Sequence, residues 1–364
     1  MLHTYIERLG TRGGRAFACV GNYARRGVAI MSLAALCAGS IGSVAVAADE
    51  IETFYRGKRI NILVGFTAGG GFDLYARLLS RHMGNHIPGN PGMTVQNMPG
   101  SGSLTAALYI LNVAPRDGTM IGTFVSRAPI IPILSDRKYD GTRFNFIGSV
   151  TDETNVCIVM ADAPVKTAKE LFEKTLVLGG AGPDSGTDTY SNLLRNVLNA
   201  KIRLVSGYPG TNDIKVAMLR GEVEGMCGLS YSVAQASYAL ELERKEMRVL
   251  MQVASRRSPQ LPDIPFVGDF ATPEQMKIVH LLLDTQLMAR SFSAPPDVPQ
   301  DRLQALRLAF DETMTDAKFL ADARNLNLEV NPMRGVEMNE LVRTLIQTPK
   351  SIVEKAIAAT QSHR

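Results

Sequence analysis

The sequence predicts a two-lobed α/β protein, with a mainly parallel sheet flanked by helices in each lobe. Short apolar segments of strand character alternate with helical segments through short loops, which is typical of parallel α/β sheets. This alternation starts near residue 59 and starts again near residue 146. The chain has 364 residues, and above roughly 250–300 residues a single hydrophobic core usually divides into two. We therefore expect two α/β units in one chain.

Residues 1–47 have the pattern of an export signal. Two arginines precede a charge-free apolar segment over residues 27–48, and this segment contains the small-residue sequence Ala45-Val46-Ala47. A basic start, an apolar stretch and an A-x-A site are typical of a secretory signal peptide. An uncleaved anchor is the alternative, because about 20 apolar residues can span a bilayer. We predict cleavage near Ala47 and export of the remaining chain.

The basic character of the sequence belongs to this signal. Residues 1–47 contain five arginines and one glutamate, which accounts for the whole formal net charge of +4. The predicted mature chain is therefore neutral, and its sequence has no basic run. Binding to nucleic-acid phosphates depends on clustered Lys and Arg, so we expect no nucleic acid as a partner.

The first unit contains three predicted strands and two Gly-rich loops. Strands are expected over residues 59–64, 94–97 and 119–124, and helices over 73–79 and 104–112. Residues 115–118 carry Pro, Asp and Gly in turn-favouring places. The two strand-to-helix junctions, residues 65–71 and 98–103, are rich in glycine.

The second unit repeats this order. Extended segments are expected over residues 146–150, 156–160, 176–179, 202–205 and 223–226, with helices over 167–174, 190–198 and 213–220. A third Gly-rich loop spans residues 181–187, and a fourth loop follows Val205. The C-terminal part adds helices over 301–323 and 337–346, a strand over 328–330, and an apolar segment over 280–289 that fits a strand or a helix end.

A Gly-rich loop that opens a helix can bind an anion through its backbone. The first N–H groups of a helix are unpaired and carry a partial positive charge, and glycines let several of them point at one anion. The nucleotide motifs and the nucleophile elbow are absent from the sequence. Each loop considered alone is explained by a tight turn between a strand and a helix. Three such loops at the carboxyl ends of strands, where α/β sheets bind ligands, predict a site for carboxylate, phosphate or sulfate.

The histidines and cysteines predict no catalytic set, no metal site and no cofactor. His82 and His86 have helical i, i+4 spacing but no third ligand, so we expect both on a solvated surface. His280 lies in an apolar run and is expected in the core. An oxidising compartment permits a disulfide between Cys157 and Cys227, but nothing in the sequence places them together, so we expect two separate buried thiols.

Three segments resemble the Bug family of TctC-like solute-binding receptors of tripartite tricarboxylate transporters. The sequence VGFTAGGGFDLYAR at residues 64–77 is similar to the opening motif of that family. NMPGSGS at 97–103 and PRDGT at 115–119 resemble its next two motifs. Weaker similarity continues through residues 182–187, 208–211 and 221–224, so the resemblance covers nearly the whole mature chain.

The resemblance implies a periplasmic binding protein of type II, a two-lobed Venus flytrap without enzymatic activity. Lobe 1 would comprise residues 49–150 and 285–364, and lobe 2 residues 151–284. Such a receptor binds a small organic acid, a di- or tricarboxylate for example, between its lobes and delivers it to the membrane subunits of its transporter. Closure would occur about crossing segments near 148–154 and 285–291. We expect a monomer.

The resemblance also implies which residues bind the ligand. Asp73 either caps its helix or orients a ligand water or amine, and Arg127 either neutralises a second carboxylate or lies on the surface. The expected ligand-binding residues of lobe 1 are Phe66, Thr67, Gly69, Gly70, Gly71, Asp73, Gly100, Ser101, Gly102, Ser103 and Arg127, and those of lobe 2 are Ser185, Gly186, Thr187, Tyr208 and Thr211.

The sequence departs from the family pattern in four places. Gly65 stands where the family commonly has Pro, and Phe72 stands where a small hydroxyl residue often precedes the Asp. Pro209 takes the place of a Lys, which removes a cation, and Glu224 takes the place of an Asp. Phe72 is expected to narrow the pocket.

Two alternative functions stay open on the sequence alone. A periplasmic enzyme could use the same α/β scaffold to act on an organic acid or ester, and a nucleophile–base pair in the cleft would indicate it. A receptor could also pass its ligand signal to a membrane sensor instead of a transporter.

Overall fold

The structure is a computed structural model that describes residues 49–182 and 185–360. The predicted export signal, residues 1–47, lies outside the described residues. The described residues from 51 to 360 belong to one compact unit, and the elements below lie in it. No helix within the described ranges is long and apolar enough to cross a membrane.

Eleven strands are described, and they form two sheets. In chain order they are β1 (Arg59–Val64), β2 (Gly92–Asn97), β3 (Met120–Thr123), β4 (Asn145–Ser149), β5 (Asn155–Met160), β6 (Leu176–Gly180), β7 (Ile202–Ser206), β8 (Gly225–Ser230), β9 (Met247–Val253), β10 (Ser291–Ala294) and β11 (Met333–Arg334).

Helices flank both sheets in the described part of the chain. In chain order the α-helices are α1 (Gly71–His82), α2 (Leu104–Asn112), α3 (Ile131–Leu134), α4 (Gly186–Leu198), α5 (Thr211–Leu219), α6 (Tyr231–Ser237), α7 (Ala239–Glu243), α8 (Pro273–Leu283), α9 (Gln300–Thr313), α10 (Ala317–Asn325), α11 (Gly335–Ile346) and α12 (Lys350–Thr360).

The first sheet has the strand order β11-β4-β10-β3-β1-β2. Its strand β1 pairs in parallel with β2 and β3, while β10 and β11 return antiparallel to their neighbours. Ile60, Ile62 and Val64 on one face of β1 and Leu63 on the other are buried, as expected for a strand covered on both faces. The parallel part of the sheet is therefore the part that carries the first two Gly-rich loops.

The second sheet has the order β7-β6-β8-β5-β9. Strand β6 pairs in parallel with β7 and β8, and β5 pairs antiparallel with β8 and β9. The predicted fold class, two α/β sheets flanked by helices, is confirmed. Both sheets are mixed, because β10 and β11 in the first sheet and β5 in the second run antiparallel to their neighbours.

Cys157 and Cys227 form a disulfide, so the expectation of two separate thiols is wrong. The residues are 70 positions apart in sequence but lie on β5 and β8, which are neighbouring strands. A register shift between Val156 and Ile158 brings them opposite each other, with Cα atoms 3.9 Å apart. Both side chains are fully buried.

The C-terminal part differs from the prediction in two details and decides a third that the sequence left open. The predicted helix over 301–323 is two helices, because Asp316 caps α10 by accepting a hydrogen bond from the N–H of Lys318. The predicted strand over 328–330 is not formed, and the short β11 pairs with β4 instead. The ambiguous segment over 280–289 is the end of α8 followed by a 3₁₀ helix, Asp284–Met288.

The last helix lies against two helices, α4 and α8, that flank the second sheet. Ile352, Ala356 and Ala359 of α12 belong to the same core as Leu193 of α4 and Val279 of α8. Most of the C-terminal region packs on the first sheet, so α12 crosses to the other sheet after the rest of the chain has completed the first.

Candidate functional site

The first two Gly-rich loops start at the same level of the first sheet. The strand register pairs Val64 at the end of β1 with Asn97 at the end of β2 and with Thr123 at the end of β3. The first loop, residues 65–70, and the second loop, residues 98–103, therefore leave neighbouring strand ends. They form one continuous edge, as predicted for the carboxyl ends of parallel strands.

Gly65 lets these two loops touch. A Cβ at Gly65 would lie 2.5 Å from the Cβ of Ser103, a distance at which one of the loops must move. The hydroxyl of Ser103 accepts a hydrogen bond from the N–H of Val125, 2.8 Å away, which ties the second loop to the segment after β3. A Pro at position 65, as in the family motif, would require a different arrangement of the second loop.

Asp73 holds the first loop in place. Its Oδ2 accepts hydrogen bonds from the N–H of Gly69 and from Arg77 Nε, both at 2.8 Å, and its Oδ1 accepts one from Asn97 Nδ2 at 2.9 Å. Asn97 Nδ2 also donates to the carbonyl oxygen of Phe66. The Asp73 carboxylate is 1% exposed and connects the first loop to the end of β2.

These bonds decide the electrostatics of Asp73. The hydrogen bond from Arg77 is the largest cause that lowers its pKa, to about 2, and burial acts in the opposite direction. Helix α1 begins at Gly71 with Gly70 as its N-cap, so Asp73 lies in the first turn rather than at the cap. Both carboxylate oxygens accept bonds from protein donors, which makes Asp73 a residue that positions the loop.

The second loop has an unusual backbone. Ser101, Gly102 and Ser103 are consecutive residues with φ of 47°, 61° and 75°, a left-handed conformation that L-residues seldom adopt. Strain of this kind concentrates at functional sites. The loop is sharply folded where it meets the first loop, and Ser101 and Gly102 are exposed there.

The second sheet has a matching arrangement around Asp188, which the sequence analysis did not single out. This carboxylate lies in the first turn of α4 and is 2% exposed. Its Oδ1 accepts bonds from the N–H of Gly182 and the hydroxyl of Ser185, both at 3.1 Å, and its Oδ2 accepts one from Ser206 at the end of β7. The sequence signal that could have identified Asp188 is an acidic residue in the first helical turn after a Gly-rich loop, as at Asp73.

The predicted residues of the third loop are engaged in holding it. The hydroxyl of Ser185 caps α4 by accepting from the N–H of Asp188, and Thr187 Oγ1 accepts from the N–H of Ala181 at 2.9 Å. Gly186, between them, is exposed. Positions 183 and 184 of this loop lie outside the described residues.

The fourth loop lies beside the third. The register pairs Gly180 at the end of β6 with Ser206 at the end of β7. The N–H groups of Gly207 and Tyr208 both donate to the carbonyl oxygen of Gly180, at 2.9 and 3.0 Å. Thr211 opens α5. The predicted lobe 2 residues are thus brought to one edge of the second sheet.

Two segments connect the sheets and run side by side. The chain passes from β4 to β5 through residues 150–154 and returns to β10 through 284–290. The N–H of Val150 donates to the carbonyl oxygen of Arg290 at 3.1 Å, and the N–H of Glu153 donates to that of Gln286 at 2.9 Å. These are the two crossing segments that were predicted near 148–154 and 285–291.

Arg290 and Glu153 are charged residues of these two segments, and no sequence motif predicted a role for either of them. Arg290 Nη2 lies 3.4 Å from Glu153 Oε1. The guanidinium carbon lies 4.7 Å from the centre of the Phe72 ring, in the first turn of α1. The crossing segments therefore carry a cation directly to the start of the helix that follows the first loop.

Arg127 lies near the same region. It follows β3, and its carbonyl oxygen accepts the N–H of Ile130. Burial is the main cause that raises the pKa of the Tyr190 hydroxyl on α4, a hydrogen bond with Gln286 lowers it, and the smaller effects of the Glu153 and Arg127 charges raise and lower it respectively. The electrostatic contacts of Tyr190 thus link an element of the second sheet to residues next to the first.

The histidines do not lie where they were predicted. His82 is buried and its Nε2 is 3.0 Å from Asp322 Oδ2, so it contacts α10 rather than solvent. His86 Nε2 is 3.2 Å from Asp316 Oδ2. His280 is exposed instead of packed in the core, and its hydrogen bond to Asp284 raises its pKa. Within the described ranges, no group of three or more His, Cys, Asp or Glu could hold a metal ion.

Comparison with known proteins places the chain in a family. Residues 76–357 match the family model TctC, described as the tripartite tricarboxylate transporter family receptor. A UPF0065 protein in the gbd 5′ region of Cupriavidus necator is 23% identical over 339 residues, which cover 91% of this chain and 96% of that protein.

Solved structures show the same fold. A TctC solute-binding protein from Polaromonas, without ligand, is 16% identical, covers 83% of this chain and 99% of its own, and superposes with a TM-score of 0.65. MatC from Rhodopseudomonas palustris, with bound malate, is 19% identical, covers 82% and 99%, and has a TM-score of 0.56. With a family model that matches most of its length, the chain belongs to the TctC family of tripartite tricarboxylate transporter receptors.

Proposed function

We propose that this protein is an extracytoplasmic receptor that captures a small carboxylate, a di- or tricarboxylate or another organic acid, and delivers it to a tripartite tricarboxylate-type membrane transporter. No catalytic step is part of the proposal. The observation that carries it is the convergence of Gly-rich loops at one edge of each sheet, next to two crossing segments. Membership of a receptor family supports the proposal, as does the malate bound to MatC.

The proposed lobes follow the two sheets. Lobe 1 comprises residues 49–150 and 285–364, and lobe 2 comprises residues 151–284, with α12 of lobe 1 packed against lobe 2. Closure would occur about the hydrogen-bonded crossing segments, which act as the hinge. We further propose that residues 1–47 are a signal peptide cleaved near Ala47, that the mature protein is periplasmic, and that it is a monomer.

The proposed ligand site lies between the loop edges of the two lobes. Backbone N–H groups at the starts of α1 and α4 provide partial positive charge, which suits a carboxylate although the mature chain is neutral. Asp73 and Asp188 act by holding their loops. The proposed ligand-binding residues are Phe66, Thr67, Gly69, Gly70, Gly71, Gly100, Ser101, Gly102, Ser103, Arg127, Ser185, Gly186, Thr187, Tyr208 and Thr211, and Asp73 contributes to binding through the loop that it holds.

Calorimetry on the mature protein tests this function. Malate, succinate, citrate and benzoate would each be titrated separately, after denaturation and refolding to remove any ligand carried over from the host. We expect at least one acid to bind with a dissociation constant in the micromolar range, and its neutral amide to bind far more weakly. Silence with every acid of the panel would count against a carboxylate receptor.

Delivery requires a second measurement. Uptake of the acid that binds is expected to depend on this chain and on the membrane subunits encoded with it. If uptake is unchanged when the receptor is deleted but expression of other genes responds to the acid, the protein serves a membrane sensor instead.

A further inference from the structure

Arg290 is a half-buried cation beside the first loop of the proposed site. Its side chain is 17% exposed, and its backbone is fixed between the crossing segments, with its N–H donating to Ser149 Oγ at 3.2 Å. The guanidinium lies against the first residue of α1, since a Cβ at Gly71 would be 3.4 Å from Nη2 and 3.7 Å from Nε. The side chain therefore reaches the first loop from the hinge.

The hydrogen bonds of this guanidinium are incomplete. Nη2 lies 3.4 Å from Glu153 Oε1, whereas a charge-assisted bond between such groups is usually about 2.7–2.9 Å long. Nη1 donates to the carbonyl oxygen of Ala289 at 3.2 Å. Nε is buried and has no hydrogen-bond partner within residues 49–182 and 185–360. Buried donors without a partner are uncommon and call for an explanation.

Aromatic rings hold the guanidinium in this position. Its central carbon is 4.7 Å from the centre of the Phe72 ring and 5.7 Å from that of Tyr75, which are distances for cation–π contact. Phe72 stacks on Phe66, with ring centres 4.3 Å apart, and the Tyr75 hydroxyl donates to the carbonyl oxygen of Glu329. The rings thus orient Arg290, and Phe72 occupies the position where the family has a small hydroxyl residue.

The charges around Arg290 are unbalanced in a way that an anion would correct. The start of α1 carries a partial positive charge, which adds to the charge of the guanidinium beside Gly71, and the Asp73 carboxylate in the same turn is already paired with Arg77. A carboxylate between Arg290 and the first loop would satisfy both groups at once, and it would accept the bond that Glu153 accepts only at long range.

We infer that Arg290 is a specificity-determining residue that binds the ligand carboxylate directly, and that Glu153 is an internal competitor which the ligand carboxylate displaces. This inference rests on the proposed function and deepens it, because it assigns the carboxylate to a side-chain cation in addition to backbone N–H groups. It makes Phe72 the support of that cation.

The test measures affinity for malate, succinate, citrate and benzoate by calorimetry in matched variants. R290Q is expected to weaken binding about ten- to hundredfold, as for the loss of a charged hydrogen bond. E153Q is expected to tighten binding about threefold or more, because it removes the competing carboxylate and its repulsion of the ligand. R257Q is the control, since Arg257 also contacts a carboxylate, Asp269, and a ring, Phe266, within lobe 2.

The outcomes distinguish failure of the proposed function from failure of this inference. If the wild type binds none of the four acids, both the proposed function and this inference fail. If the wild type binds an acid and R290Q binds it equally well, the receptor function stands and the inference is overturned. If R290Q does not fold, as judged by circular dichroism, E153Q decides, and unchanged or weakened binding by a folded E153Q overturns the inference.

Discussion

Replacing Asp73 with Asn removes a charge that stabilises the fold through the first loop. The folded-state pKa of Asp73 is about 2, against an ordinary value of 3.8. Because the folded pKa is depressed, the ionised form stabilises the protein at every pH above 3.8. That stabilisation is lost as the pH falls towards 2 and the carboxylate takes up a proton in both states.

The magnitude follows from the size of the shift. One pKa unit corresponds to about 1.4 kcal/mol, so the stabilisation at neutral pH is about 2–3 kcal/mol. D73N also places an amide donor among the three donors that now point at the carboxylate. We expect D73N to lower the free energy of unfolding by about this amount at pH 7, and by much less near pH 2.

Urea unfolding followed by circular dichroism at several pH values between 7 and 2 measures this difference, and the absence of Trp makes tryptophan fluorescence unsuitable. D213N is the matched control, since Asp213 lies in the first turn of α5 and is exposed. It should change stability by less than about 0.5 kcal/mol. A D73N curve that runs parallel to the wild-type curve at all pH values would refute the assigned role.

Three further sets of substitutions test other parts of the structure. Gly70→Val should abolish acid binding in calorimetry. The protein should stay folded, because a Cβ at position 70 makes only an ordinary contact of 3.6 Å. Unchanged affinity would show that the first loop is not part of the site. Gly65→Ala should destabilise the fold by about 1–3 kcal/mol through overpacking. The same substitution should cost less in a Ser103→Gly background, because the 2.5 Å contact between the two Cβ atoms is then absent, and an equal cost in both backgrounds would contradict the contact. Replacing Cys157 and Cys227 with Ser should cost about 2–4 kcal/mol, and equal melting of the wild type with and without reductant would argue against the bridge.

The loops of the site could be predicted because their signals are local. Glycines before a helix allow the tight backbone conformations that a short loop between a strand and a helix needs, and the first and second loops lie at strand ends as expected. The acid in the first turn was visible at Asp73, although its donors were not. Asn97 reaches Asp73 only because β1 and β2 are in register, and a sequence pattern does not contain that register.

Contacts between distant segments could not be predicted from residue patterns. The bond between His82 and Asp322 joins residues 240 positions apart, and an i, i+4 pattern on one helix contains no information about the other helix. The same applies to Cys157, whose partner depends on a bulge in a strand pairing, and to Arg290, which carries no motif. Each depends on how the two sheets and the C-terminal helices assemble.

The disulfide closes a covalent ring around part of the proposed site. The chain from Cys157 to Cys227 contains β6, β7, α4 and α5, and with them the third and fourth loops. A protease that cuts one peptide bond inside this ring cannot release either loop, because both fragments stay joined through the sulfur atoms. Proteolysis beside an exposed residue such as Gly186 would therefore leave a nicked protein whose pieces remain covalently linked.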